Sequence, residues 1–435
     1  MIRMKESGID WIGQIPEEWD LGKVKFFSKI SAGATPDRNN IFFWNGDINW
    51  MSSGEVNQEV VTHTAETITN LALKRTSTKL LPIGTVMLAL NGQGKTKGTA
   101  AVLAIETASN QSLASFIVDD ARVNNIYLYY FLKANYSNIR GLKGEDRDGL
   151  NLQLVSNIII PLLDIKEQKK IADFLDKKTA QLDKGKALLE EQIQKLKDYR
   201  ASLIYETVTK GLDKNVPMKD SGIDWIGQVP QGWGISKLEQ FVNIFGRIGF
   251  RGYTTNDIVN EEEGAISYSP SNILEFSVID NNNTYISWSK YDESPEIQVR
   301  TGDILYVKTG SSYGKTGIVN ELSKQATINP QLVVLKPKKY TDSRLINYML
   351  NSSVGKNQSE LIVGGSTIPT ITQESIKKMI FPKIPFDEQK KIADFLDEKT
   401  IQIDKLIQIK NEQIKNINKQ RQTLIYDYVT GKRRV

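Results

Sequence analysis

The sequence predicts an α+β protein built twice: two mixed α/β domains separated by a pair of long antiparallel coiled-coil helices, related as a pseudo-twofold internal repeat. Three observations carry this. Residues 7–14 read SGIDWIGQ, and so do residues 221–228. Glu167–Asp176 reads EQKKIADFLD and recurs unchanged as Glu388–Asp397. Each decapeptide opens a stretch without proline in which apolar residues return every seven positions, the mark of a helix made to pack along another helix. Ten identical residues in a row mark a duplication. The first echo has an offset of 214 and the second 221, so the middle of the second copy is seven residues longer. Edges stayed alike while middles diverged, which suggests two like surfaces for one partner and two unlike surfaces for two ligands.

The first segment, 1–160, is broken by Gly, Pro and Asn and holds short β-like runs at Gly84–Leu90 and Ser115–Val118, then a helical run at Ile126–Leu132. The third segment, 213–381, repeats that order with Gly302–Lys308, Leu332–Leu335 and Leu345–Leu350. Both read as mixed domains. Segments 161–212 and 382–435 read as the long helices. In the first, Leu175, Leu182, Leu189, Leu196 and Leu203 form the stripe; in the second, Leu396, Ile403, Ile417 and Leu424 do, with Lys410 interrupting it. About forty residues at about 1.5 Å each make a rod of roughly 60 Å. An antiparallel pairing returns the second helix toward the first domain and sets the two domains at opposite ends of a spacer.

Composition narrows the classes of function. The chain has 435 residues, 40% hydrophobic and 25% charged, enough for two cores. It has no cysteine and one histidine, His63, so disulfides and thiolate metal sites are excluded and a Ser-His-Asp triad or a zinc site is disfavoured. No apolar run reaches the length of a membrane span, no basic-then-apolar leader opens the chain, and the expected location is the cytoplasm. A net charge of +5 leans toward a polyanionic partner. No cofactor is expected.

Several glycine-rich stretches imitate catalytic motifs. Residues 310–316, GSSYGKT, have three residues between the glycines where a phosphate-binding P-loop has four. Gly92 and Gly94 start a dinucleotide-type pattern whose third glycine comes one residue late. The chain therefore reads as a binder. Glycine lets backbone approach a ligand, lysine contacts phosphate, and Ser, Thr, Tyr and Asn hydrogen-bond base edges. Both domains carry Gly-Lys-Thr after a β run, at 94–96 and 314–316, read here as equivalent. The candidates in the first domain are Lys95, Thr96, Lys97, Asn110 and Gln111, with Lys143 and Arg147 in a later loop. Those in the second are Lys308, Ser311, Ser312, Tyr313, Lys315, Thr316 and Asn329, with Ser366 and Thr367 later. Arg247, Arg251 and Tyr253 interleave basic and aromatic side chains as a DNA reader does. A rival reading is a coiled-coil adaptor whose end domains bind protein or glycan ligands.

Taken together, the SGIDWIGQ openings, the Gly33–Pro36 stretch with Thr35, the Trp44–Trp50 stretch, GSSYGKTG at 310–317 and the EQKKIADFLD helices ending in Leu-Ile-Tyr are specific. Nearly end to end, the chain resembles the specificity subunit of a type I restriction–modification enzyme. The resemblance implies two target recognition domains, each reading one half of a bipartite asymmetric site in double-stranded DNA. It implies no catalysis by the subunit itself. It also implies that two modification subunits, methylating adenine with S-adenosylmethionine, dock on the repeated helical regions, and that restriction subunits join through the complex.

Overall fold

The computed structural model describes residues 3–142, 149–363 and 369–435. It divides into two compact units, Met1–Leu189 with Asn411–Val435, and Glu190–Lys410. Each unit therefore holds one mixed domain, the near half of one long helix and the far half of the other.

In the first unit a five-stranded sheet runs in the order Ser28–Ala32, Leu113–Val118, Val86–Ala89, Ala100–Leu103, Val60–Val61, and a second sheet runs Ala108–Ser109, Trp44–Met51, Glu66–Ile68. Val86–Ala89 and Ala100–Leu103 are buried at every position, which is why they read as unbroken apolar runs and not as alternating ones. Helix Asn125–Ala134 packs on this sheet, its start capped by the Asn124 side chain, which accepts from the Tyr127 N–H. The second unit repeats the plan. Its larger sheet runs Val242–Gly246, Leu332–Pro337, Ile304–Val307, Thr316–Ile318, Ser277–Val278, Ile273–Leu274; its smaller one runs Ile258–Val259, Thr284–Ser287, Gly264–Tyr268, Ala326–Ile328. Helix Ser343–Asn351 takes the place of Asn125–Ala134, capped by Asp342.

The long helices span Ile165–Lys210 and Phe386–Val429. At 46 residues the first is about 70 Å long at about 1.5 Å per residue. Within each unit the two helical segments are antiparallel. In the first, Phe174 stacks near Tyr428 at 4.5 Å and Asp183 meets Arg421; in the second, Lys410 Nζ donates to Gln192 Oε1 at 2.6 Å and Arg200 meets Asp404. The leucine stripe proves to be half of the contact line. Burial follows alternating steps of three and four, so the positions between the leucines are Thr179, Lys186, Ile193, Arg200 and Thr207. Leu175, Leu396 and Ile403 are buried, whereas Leu182, Leu189, Leu196, Leu203, Ile417 and Leu424 are half-buried. Only two segments meet there, and the alternate seam is largely polar.

That polar seam contains one device in duplicate. The Arg200 guanidinium, 15% exposed, pairs with Asp404 and lies 3.5 Å from Glu275. Arg421, 17% exposed, lies 3.2 Å from both Asp183 and Glu59. Each arginine thus joins both helical segments to its own mixed domain. Glu59 and Glu275 both have left-handed backbone, with φ of 62° and 51°.

The repeated sequences form sockets for helix ends. The first long helix stops at Gly211, where φ is +76°, and the second gives way to Gly431, where φ is +74°. A Cβ on Gly431 would lie 2.3 Å from Pro16, and one on Gly211 would lie 3.2 Å from Trp233, so each helix ends flush on the Pro and Trp beyond a SGIDWIGQ copy. Tyr426 donates to the Ile12 carbonyl at 3.1 Å, and Tyr205 to the Ile226 carbonyl at 3.2 Å. EQKKIADFLD is equally accounted for. Gln168 Oε1 accepts from the Asn124 N–H and Gln389 Oε1 from the Asp342 N–H, both at 2.9 Å. Tyr130 donates to Asp176 at 2.7 Å and Tyr348 to Asp397 at 2.8 Å. Ile171, Leu175, Ile392 and Leu396 fill the two cores.

Candidate nucleic-acid interface

In both units four loops converge at one end of the strands of the larger sheet, and the same backbone bonds hold three of them. The Leu90 N–H donates to Ser112 O and the Leu150 N–H to Leu90 O; in the second unit Lys308 N–H donates to Gln331 O and Ile371 N–H to Lys308 O. The Asn110 N–H donates to Met51 O, as the Asn329 N–H does to Tyr268 O. In the first unit the Ser109 carbonyl accepts from the Ala34 N–H, with Gly33 so close that a Cβ would lie 2.0 Å from that oxygen. In the second unit the equivalent carbonyl, Ile328, accepts from Arg247 Nε at 3.2 Å. The loops at 33–36, 91–98, 109–112 and 149–151 thus correspond to 247–253, 309–314, 328–331 and 369–371.

This register corrects one expectation. Gly98 N–H donates to Ala89 O and Gly314 N–H to Val307 O, so Gly314-Lys315-Thr316 corresponds to Gly98-Thr99-Ala100 and not to Gly94-Lys95-Thr96. The loop of the first unit is longer, and its Gly-Lys-Thr lies within that extension. The GSSYG turn also joins two antiparallel strands, Ile304–Val307 and Thr316–Ile318, where a P-loop would open a helix.

The candidate side chains sort by exposure. In the first unit Thr35, Lys95 and Gln111 are exposed, and Thr96, Lys97 and Asn110 half-buried. Thr35 donates to Gln111, which brings two of the loops together. In the second unit Ser311 is exposed, and Lys308, Ser312, Tyr313, Lys315, Arg251 and Tyr253 are half-buried. Arg251 lies 3.5 Å from Glu296. Three candidates turn inward and are better understood as parts of the framework. Arg247 is 5% exposed and donates to Ile328 O, Thr327 Oγ1 and Arg251 O; burial lowers its pKa, and Tyr253 beneath it offsets part of that. Thr316 is fully buried and donates to Asn347, and Asn329 is 9% exposed with its amide on Gln331. The basic-aromatic interleaving at 247–253 therefore builds a loop from within, a difference that spacing alone does not reveal. Lys143, Arg147, Ser366 and Thr367 lie outside the described residues.

Other residues at these loops escaped the sequence reading. Arg38 stacks over Trp44 at 4.0 Å and pairs with Glu66, whose carboxyl is held below the usual range by the Arg38 hydrogen bond. Tyr136 donates to Lys95 O at 2.9 Å and Arg140 to Lys97 O at 3.2 Å, tying the lysine loop to its neighbouring helix. In the second unit Ser311–Lys315 instead borders an open cleft that Lys356 also lines. Each signal was one polar residue without a partner in sequence.

Residues 16–197 and 230–419 match the family described as "Type I restriction modification DNA specificity domain". The match takes in most of the chain, so the protein belongs to that family and carries its domain twice. Among its relatives, the MjaVIII type I restriction enzyme specificity subunit of Methanocaldococcus jannaschii is 26% identical over 326 residues, 72% of this chain and 71% of the relative. The EcoBI specificity subunit of Escherichia coli is 23% identical over 329 residues, 73% of this chain and 67% of its own length. A chain from a structure of the type I R-M system, solved for its complex assembly and conformational transition, aligns with a TM-score of 0.74. That alignment has 15% identity and covers 95% of this chain and 98% of the other. The HsdS subunit from Thermoanaerobacter tengcongensis aligns with a TM-score of 0.54 and 15% identity, covering 96% and 98%. At such identities these structures share the fold.

Proposed function

We propose that this chain is the non-catalytic DNA-sequence-specificity subunit of a type I restriction–modification system. Each mixed domain reads one half of a bipartite, asymmetric duplex target through its four converging loops. The observation that carries this reading is that the backbone bonds holding three of the four loops recur in both units while the exposed side chains differ. Two readers of one design and two sequences need that combination. The helices and the repeated sockets dock two adenine-modifying methyltransferase subunits, with restriction subunits joining through them, and fix the gap between the half-sites. The identical decapeptides support like docking for two copies of one partner. With one histidine and no cysteine, the chain is read as supplying recognition, and the chemistry is assigned to its partners.

Phosphate contacts position a protein on DNA and make its affinity fall with salt. Binding of the chain with its modification subunit to duplex DNA, measured at several salt concentrations, should weaken steeply as salt rises. Lys95→Ala and Lys315→Ala should each lower the steepness by about one unit without changing the target. Exchanging Ser311-Ser312-Tyr313 should relax one half-site only, and changes at Gln111 the other. Methylome mapping in a host expressing the complex reads both halves at once. A substitution in one domain that altered base preference in both halves would overturn the modular reading.

A further inference from the structure

We propose that the two three-way ion clusters, Arg421 with Asp183 and Glu59, and Arg200 with Asp404 and Glu275, enforce a single spacing between the half-sites. The inference rests on the reading of each domain as a half-site reader. Each cluster joins three separate pieces: one arginine from a long helix, an aspartate from the antiparallel segment, and a glutamate from the mixed domain. The two arginines are 221 residues apart, as are the two aspartates, so the device was copied with the repeat. Both glutamates sit in left-handed backbone beside the edge of the larger sheet, a conformation that non-glycine residues rarely adopt and that persists where surroundings demand it. Arg200 and Glu275 also line the cleft that Ser311–Lys315 borders, whereas Arg421 pairs with the antiparallel helix and with the glutamate beside the sheet edge. The Arg421 cluster therefore bears on how its domain is carried on the helices, and the Glu59 substitution separates that from base reading.

The two clusters are not equally tight. Glu59 also pairs with Lys133 from helix Asn125–Ala134, so two cations hold it. Burial pushes its carboxyl up, but Lys133 and Arg421 outweigh that and keep it below the usual carboxylate range. The position matching Lys133 is Asn351, and among the described residues Glu275 has Arg200 as its one ion-pair partner, at 3.5 Å beside the open cleft. Loosening the first cluster should therefore matter more.

The test uses the full chain with its modification subunit and maps methylated sites genome-wide for the parent, Glu59→Gln, Arg421→Gln and Glu275→Gln. The parent should modify one bipartite target with one spacer length. Glu59→Gln and Arg421→Gln should keep both half-site sequences and add sites one base pair longer or shorter at several-fold the parental frequency; Glu275→Gln should add fewer. General destabilisation would lower modification at every site without creating new spacings. Variants restricted to the parental spacer would overturn the proposal, as would variants whose half-site bases relax. Arg421→Gln removes a largely buried charge and risks misfolding, so the milder Glu59→Gln decides. Loss of all modification by Glu59→Gln at an unchanged unfolding midpoint would also overturn it. A parent with no bipartite target would instead overturn the half-site reading itself.

Discussion

A single glutamine shows why ten residues were copied without change. Gln168 accepts from the Asn124 N–H that starts one helix and donates to the Leu163 carbonyl that precedes another. Gln168→Ala would leave those buried groups unmatched, and should cost about 1–3 kcal/mol by denaturant unfolding, with Gln389→Ala matching it within error. A negligible loss in either would mean that water replaces the amide. Glu59 gives a prediction in pH. Its folded pKa lies below the unfolded value of about 4.3. Its contribution is thus complete above that value and is lost as pH falls through the folded pKa. The carboxylate is half-exposed, so Glu59→Gln should cost only about 0.5–1 kcal/mol at neutral pH. The gap to the parent should close on acidification toward pH 3, and a gap constant with pH would refute the assignment. At this scale sequence reasoning located loops but not directions. Arg247 lay in a pattern typical of exposed readers, and the Ile328 carbonyl, 81 residues away, and the neighbouring Thr327 hydroxyl turn it inward.

Among the elements, the long helices were the most legible, because a seven-residue period with no proline has few other solutions. Their contact line was half legible. Leucines announce themselves, whereas Thr179, Arg200 and Thr207 carry no apolar signal, and their burial depends on partners far along the chain. The difference can be measured. Leu175→Ala, in the core of the first unit, should cost about 2–5 kcal/mol, while Leu188→Ala, 50% exposed on the outer face, should stay within about 0.5 kcal/mol. Equal effects would mean that the segment does not pack as described. The strands flanking the recognition loops were found from their apolar runs, but the pairing of the Gly-Lys-Thr motifs was misjudged. Two loops of different length can carry the same tripeptide, and only the ladder register tells which residues correspond.

Across the whole molecule, the duplication was plain from eight and ten identical residues, yet the units it builds are not the repeats. The second unit is one unbroken stretch, Glu190–Lys410, while the first is closed by Asn411–Val435. Ile425, Tyr428 and Val429 belong to the same core as Ile12 and Trp19. The consequence concerns the order of birth on the ribosome. The half that is started first must wait for 221 intervening residues before its core can close. At roughly 5–20 residues per second that wait is on the order of ten to forty seconds. The second half, complete in sequence, is free to fold in the meantime. Chains cut after Lys410 and held on the ribosome by an added linker long enough to carry Lys410 clear of the exit tunnel should therefore protect Ile304–Val307 from hydrogen exchange fully and leave the Ile12 and Trp19 socket open to protease. Full protection of that socket before the last helix emerges would show that another segment stands in for it.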